Sequence, residues 1–305
     1  MVRWSPRIAA QCAHVAVRWL TLAVLRSALA IVLSTAALLV ASDAEAGGTT
    51  TFPYRQKTLL YSRDPAGALA YVTSGATPGD ALPVVVFLHG MNRDGIVHPW
   101  FGPPQGDLRS IVEPLVRGGR VAPFILAAPT HTRNATAAAA MWPELELGDF
   151  LDATDAALAG SARVDRSRVI VVGHSGAGCN AAGGLLGDGV LRARPLAVVA
   201  IDTCVDELVT PRLAALAAVA DVRFFWHRSW RRPVSDLAAA CTTCTIEEVV
   251  DLPPRAVPHV AMVPAVLRRV LPDLLPAASP TADADAQGTT RWMTTGSPST
   301  APTRS

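Results

Sequence analysis

Charged side chains are few in this chain of 305 residues: 17% are Asp, Glu, Lys or Arg, against 50% hydrophobic. That balance excludes an intrinsically disordered chain and a highly charged scaffold, because apolar side chains at this density can bury enough surface to offset the entropy of ordering. Lysine is almost missing. Lys57 stands alone among 27 basic residues, the rest being arginines, and no functional class follows from that bias. Cysteine is sparse, with five in all, and Cys241-x-x-Cys244 has no second close Cys/His pair beside it. The spacing of a structural zinc site is therefore incomplete, and no metal is expected. No internal repeat is visible.

A long apolar run is lacking as well. The run over residues 28–41 is uncharged but shorter than the roughly 20 residues a membrane helix needs. Arg3, Arg7, Arg18 and Arg26 precede it with no acid among them, and Ala44-Glu45-Ala46 follows it. A basic start, a short apolar stretch and a small-x-small site together read as a signal peptide over residues 1–46. The alternative is a retained N-terminal anchor, and only then is a membrane partner expected. Either reading places the bulk of the chain in a secreted, periplasmic or cell-surface location. Residues 1–46 hold four of the 27 basic and two of the 25 acidic residues, which leaves 23 of each in the remainder. A neutral domain offers no electrostatic footprint for nucleic acid.

After that segment, short β-rich runs alternate with helical stretches, the pattern of a mostly parallel sheet covered by helices. Strands are expected at Gln56–Arg63, Ala68–Ser74, Val84–Leu88, Phe124–Ala127, Arg168–Val172, Leu196–Ile201, Val222–Trp226 and Ile246–Val250. Helices are expected at Asp107–Arg117, Leu147–Leu158, from near Gly178, around Leu213–Val219 and over Val263–Leu275. About eight strands with helical crossovers make a three-layer α/β/α sandwich. The domain is expected to span residues 47–276. Residues 277–305, rich in Ser, Thr, Pro, Ala and Gly, read as a flexible tail.

The most informative stretch is Val169-Ile170-Val171-Val172-Gly173-His174-Ser175-Gly176-Ala177-Gly178. Four β-formers lead into a serine flanked by small residues, with a helix after it. A serine at a sharp strand-to-helix turn projects its hydroxyl beyond the sheet, and so tight a backbone tolerates only small neighbours. A glycine-rich turn with an incidental serine, or a phosphate-binding loop, is the competing reading. The stretch resembles the nucleophile elbow of the α/β-hydrolase superfamily, Gly-x-Ser-x-Gly, with Ala177 in place of the second glycine. The resemblance implies that Ser175 is the nucleophile and that the Gly176 N–H faces an oxyanion.

Two more segments fit the same superfamily in chain order. Val84–Leu88 ends in His89-Gly90-Met91-Asn92, and a His-Gly pair after the third strand begins the superfamily's oxyanion loop. By that resemblance Met91 supplies the second backbone donor, while His89 is a structural loop histidine. Downstream, His259 follows the last strand, where the superfamily places its general base. His174 is the elbow's variable position, His227 ends a strand, and His98 and His131 lie in loops near the expected pocket.

The acid is less defined. The usual superfamily acid follows the strand Val222–Trp226, yet the near part of that loop carries no carboxylate before Asp236. Some members place it one strand earlier, which selects Asp202. Asp206 and Asp251 complete the candidates, and Asp202 has a competing use as a helix cap. Beyond Cys12 in the leader, Cys179, Cys204, Cys241 and Cys244 form an even set, which in an oxidising compartment favours two disulfides. Three pairings are possible. If the strands carrying Ser175 and Asp202 are neighbours, Cys179–Cys204 with Cys241–Cys244 is the expected pairing.

The resemblance implies carboxylic-ester hydrolysis through an acyl-Ser175 intermediate, without a cofactor, on a small-molecule or polymer-derived ester. An amidase or peptidase on the same fold, or an inactive binding protein on a hydrolase scaffold, are the alternatives. Trp100, Phe101 and Trp142 lie in loops where they can build an apolar wall or lid. Trp230, Arg228, Arg231 and Arg232 read as a solvated loop, with an acidic substrate as the other use.

Overall fold

The computed structural model describes residues 47–55, 61–133, 135–228 and 231–277. The expected signal peptide and nearly all of the expected tail lie outside the described residues. So do Cys12, Lys57 and Trp230.

Among the described residues, ten strands and six helices follow one another in chain order: β1 (Thr49–Phe52), β2 (Ala68–Val72), β3 (Ala81–Leu88), β4 (Phe101–Gly102), β5 (Gly106–Asp107), α1 (Arg109–Arg117), β6 (Ile125–Pro129), α2 (Leu147–Leu158), β7 (Arg163–His174), α3 (Asp188–Ala193), β8 (Ala197–Ile201), α4 (Val209–Leu216), β9 (Asp221–Trp226), α5 (Arg231–Ala240), β10 (Thr245–Glu248) and α6 (Pro258–Leu274). Eight of the strands form one sheet in the order β1-β2-β6-β3-β7-β8-β9-β10. The β1–β2 and β2–β6 pairs are antiparallel, and every pair from β6 to β10 is parallel.

Parallel strands need crossover helices, and those helices cover both faces, so the central strands are apolar throughout. Side chains alternate between the two layers with the strand period of two. Val84, Val86 and Leu88 of β3 enter one core with Phe150, Leu213 and Leu237, from α2, α4 and α5. Val85 and Phe87 enter the other with Val112 and Leu267, from α1 and α6. The result is the expected three-layer sandwich.

Several boundaries differ from the sequence reading. Among the described residues the first strand is β1, which the sequence reading did not expect. Of the expected strand Gln56–Arg63, 56–60 lie outside the described residues and Tyr61–Arg63 are irregular. Thr49–Phe52 is mostly exposed and lacks apolar alternation, so its strand character comes from pairing with β2. The helix α5, which carries Asp236, occupies a stretch read as loop. The last helix begins at Pro258, five residues before the expected start, because proline suits a helix's first turn. His259 therefore lies in that first turn and not ahead of the helix.

Candidate active site

At the C-terminal end of β7 the chain turns sharply through Ser175–Gly178, a single 3₁₀ turn. Ser175 has φ = 56°. The left-handed region costs a non-glycine residue about 1–3 kcal/mol and persists only where the surroundings impose it. Here Gly90 packs against the turn, and its missing side chain is what allows the approach. A Cβ on Gly90 would stand 2.6 Å from Ser175 Cβ and 3.1 Å from Gly176 N. A Cβ on Gly176 would in turn stand 3.2 Å from the Met91 backbone nitrogen. The His89-Gly90-Met91 loop thus lies directly against the turn. Ala177, where the elbow pattern has glycine, is fully buried, so its methyl adds to the core.

The loop is held by groups behind it. His89 is buried; its Nδ1–H donates to the Gly90 carbonyl at 2.7 Å, and its Nε2 accepts from the His131 N–H at 2.9 Å. Both bonds require one neutral tautomer, and burial pushes the imidazole down to about 3. Trp142 donates its Nε1–H to the His89 carbonyl at 2.9 Å and its backbone N–H to His131 Nδ1 at 3.3 Å. Burial likewise lowers His131 to about 4. His89 is thus the structural loop histidine expected. Trp142 is a buried brace under the loop and not a wall or lid.

Asp202 follows β8 with φ = 47° and donates its backbone N–H to the Phe225 carbonyl at 2.8 Å. Its carboxylate is buried, and Oδ2 accepts from His259 Nδ1 at 2.5 Å. Desolvation works against the charged form, but the His259 bond and the nearby imidazoles of His259, His227 and His174 hold the carboxyl below its ordinary range. Among the described residues, none of the other candidate carboxylates is bonded to His259. Asp236 is exposed on α5, Asp251 is exposed, and Asp206 caps α4 by accepting from the Leu208 and Val209 N–H groups at 2.9 Å. Helix capping, the competing use for Asp202, is therefore performed by Asp206.

From the sequence, His174 is only the variable position of the turn. The structure shows it buried, donating its Nε2–H to the backbone carbonyl of His259 at 2.9 Å, with Trp100 edge-on against its ring at 5.4 Å. Burial, reinforced by His259, lowers it to about 3, so it stays neutral.

Ser175, His259, His174, Gly90 and Met91 line one cavity of about 320 Å³, with Trp100, Gln105 and Arg93 on its other side. Of the other two aromatics expected as a wall, Trp100 lines this cavity, while Phe101 packs into the core beside α1. Arg228 is exposed, and His98 sits against Thr130. Two disulfides join Cys179 to Cys204 and Cys241 to Cys244, with Cα atoms 4.8 and 5.4 Å apart. The first ties the segment after Ser175 to the segment after Asp202.

No family model matches the chain, and no curated protein matches it. Solved structures do. A feruloyl esterase module from Clostridium thermocellum, an S954A mutant complexed with sinapinate, is similar with a TM-score of 0.53 at 12% identity, over 75% of this chain and 88% of that one. A second structure, named FAE, is similar with a TM-score of 0.52 at 14% identity, over 77% and 92%. At such identity the likeness speaks for the fold. Joined to the strand order and the turn after β7, it shows that this chain has the α/β-hydrolase fold.

Proposed function

We propose that the protein is an exported serine hydrolase that cleaves carboxylic esters with Ser175 as nucleophile, His259 as general base and Asp202 as acid. The observation that carries this reading is the 2.5 Å bond from His259 Nδ1 to buried Asp202, in a cavity that Ser175 enters from a left-handed turn. A carboxylate on Nδ1 fixes the tautomer whose Nε2 is free to take a proton.

The steps follow from that arrangement. As Ser175 Oγ attacks the ester carbonyl carbon, His259 Nε2 takes its proton. The carbonyl oxygen gains negative charge facing the Met91 and Gly176 N–H groups, each such donor contributing about 3 kcal/mol in comparable sites. The imidazolium then gives its proton to the departing alkoxide. Acyl-Ser175 remains, and water activated by the same nitrogen releases the acid. Asp202 stays ionised throughout and balances the imidazolium charge.

The cavity lies at the small end of the usual ligand range, which supports short or single-ring acyl groups. The similar esterase module that holds sinapinate points the same way. Two disulfides support folding in an oxidising compartment, in line with the N-terminal segment.

The test is labelling of purified protein with a fluorophosphonate, with hydrolysis of short p-nitrophenyl esters by wild type, Ser175→Ala and His259→Ala. Label on Ser175, with turnover lost in both variants, is the expected result. A folded wild type that neither labels nor turns over ester would instead make it a binding protein on this scaffold.

A further inference from the structure

One wall of the cavity that holds Ser175 comes from the β4–β5 hairpin and the residue before it. The hairpin is tied down: the Phe101 N–H donates to the His98 carbonyl at 3.1 Å, the Leu108 N–H to the Trp100 carbonyl at 2.9 Å, and Arg109 Nη2 to the Phe101 carbonyl at 3.2 Å. Arg109 also pairs with Asp107 at 2.7 Å. From this wall Trp100 and Gln105 line the cavity. Gln105 Oε1 is buried and meets no hydrogen-bond donor among the described residues. Of the buried polar atoms left without a partner there, it is the one that belongs to a residue of this cavity. An unmet buried oxygen costs stability that an apolar side chain of the same shape does not, so the amide calls for a partner the folded chain leaves out. The other polar residues of the cavity are already served. His89 bonds through both ring nitrogens and His174 donates to His259, while Arg93 and Asp94 are exposed and hydrated.

We propose that Gln105 is a specificity-determining residue: it selects esters that carry a hydroxyl on the acyl chain, whose O–H donates to Gln105 Oε1 while the ester carbonyl faces Ser175. This rests on the hydrolase reading given above. The terminal torsion of glutamine is broad, so a turn about Cγ–Cδ presents the oxygen to a bound group. What that oxygen lacks is a donor. A hydrocarbon chain brings none, and an ether or carboxylate brings only acceptors, so each leaves Oε1 unmet. An ammonium group brings donors but also a charge like that of Arg93 in the same cavity. A hydroxyl supplies the donor without the charge. The Trp100 ring gives the carbon chain an apolar surface, and one fixed polar group then sets its orientation, as in other small ligand sites.

The experiment compares wild type with Gln105→Met, an apolar side chain of similar length, on methyl 6-hydroxyhexanoate and methyl heptanoate. These esters differ only by a hydroxyl in place of a methyl, and acid release follows their hydrolysis. The ratio of kcat/KM for the hydroxy ester to that for the plain ester is expected to fall about tenfold in the variant, the worth of one hydrogen bond. A ratio unchanged in folded Gln105→Met overturns the proposal. The variant is expected to unfold at or above the wild-type midpoint, because an unmet oxygen has been removed. A midpoint below wild type assigns Gln105 to the fold and overturns the proposal as well. Calorimetric binding of the same two esters to Ser175→Ala, with and without Gln105→Met, reads the contact without turnover. The affinity ratio is expected to fall as the kinetic ratio does, and equal ratios overturn the proposal even in an active enzyme. A falling affinity ratio in a protein whose wild type cleaves neither ester leaves Gln105 as the selector and removes the hydrolase reading.

Discussion

His174 donates its Nε2–H to the backbone carbonyl of His259, so the residue beside the proposed nucleophile also holds the proposed base. Ser175 and His259 are therefore positioned by one buried ring between β7 and the first turn of α6. In the His174→Leu variant that carbonyl loses the imidazole donor, and a folding stability lower by about 1 kcal/mol is expected. Ester turnover should fall more than stability accounts for, while KM changes little. Wild-type kcat in a folded His174→Leu protein would disprove the coupling.

Asp202→Asn keeps the shape of the side chain but offers His259 an amide in place of a carboxylate. The tautomer is no longer fixed, and kcat should fall by about 10³–10⁴, as in other enzymes of this chemistry. Asp236→Asn, on the exposed side of α5, should leave kcat within about twofold, the range of an ordinary surface change. Steady-state kinetics on the two variants separate the candidates.

Gly90→Ala places a methyl 2.6 Å from Ser175 Cβ and 3.0 Å from the His174 carbonyl. Backbone on both sides must shift, and Met91 moves with it. Loss of one oxyanion donor predicts a fall of about 10²–10³ in kcat. Fluorophosphonate labelling should slow in parallel, and an unchanged labelling rate would argue against Met91 as a donor.

Acid should weaken the fold well before the carboxylates protonate. His89 and His174 are lowered to about 3 and His131 to about 4, in each case first by burial. Their folded values lie below the unfolded value near 6.5, so their neutral forms favour folding above that pH. As pH falls from about 6.5 toward 4, the unfolded chain takes up protons that the folded one refuses. Each such group removes up to about 1.4 kcal/mol per pH unit. Asp202 adds a further loss only below about pH 4, because its carboxyl is held below the ordinary range. Urea midpoints should decline from pH 6.5 to 4.5, and a flat profile would show that the three rings do titrate in the fold.

The two disulfides should differ in weight. Cys179–Cys204 closes a sequence separation of 25, for which loop entropy predicts about 3–4 kcal/mol, whereas Cys241–Cys244 spans only 3. Replacing Cys179 and Cys204 with alanine should lower the unfolding midpoint accordingly and slow ester turnover, since the bridge holds the Asp202 segment against the Ser175 turn. The Cys241/Cys244 double replacement should leave turnover unchanged. Urea unfolding and kcat on both variants decide it.

What the chain determines by itself is local. The run Val169–Val172 into Gly173-His174-Ser175-Gly176 specifies a buried strand ending in a tight turn, because β-branched residues and small neighbours act within a few positions of each other. The apolar runs of β3, β7 and β8 likewise mark central strands, and their alternation with helices implies the sandwich. Edge elements are a different case. Thr49–Phe52 has no apolar pattern to read, since an edge strand open to solvent needs none.

The tertiary structure alone distinguishes the candidates for the proposed site's third member and shows its supports. Asp202 and Asp236 both satisfy the order Ser, Asp, His, and only the pairing of β8 with β9 turns one carboxylate inward while α5 turns the other to solvent. His174 and Trp142 act through partners 85 and 53 residues away. Such contacts are set by which strands lie adjacent, and adjacency in a sheet ordered β3-β7-β8-β9 arises from packing the whole domain, not from any window of its sequence.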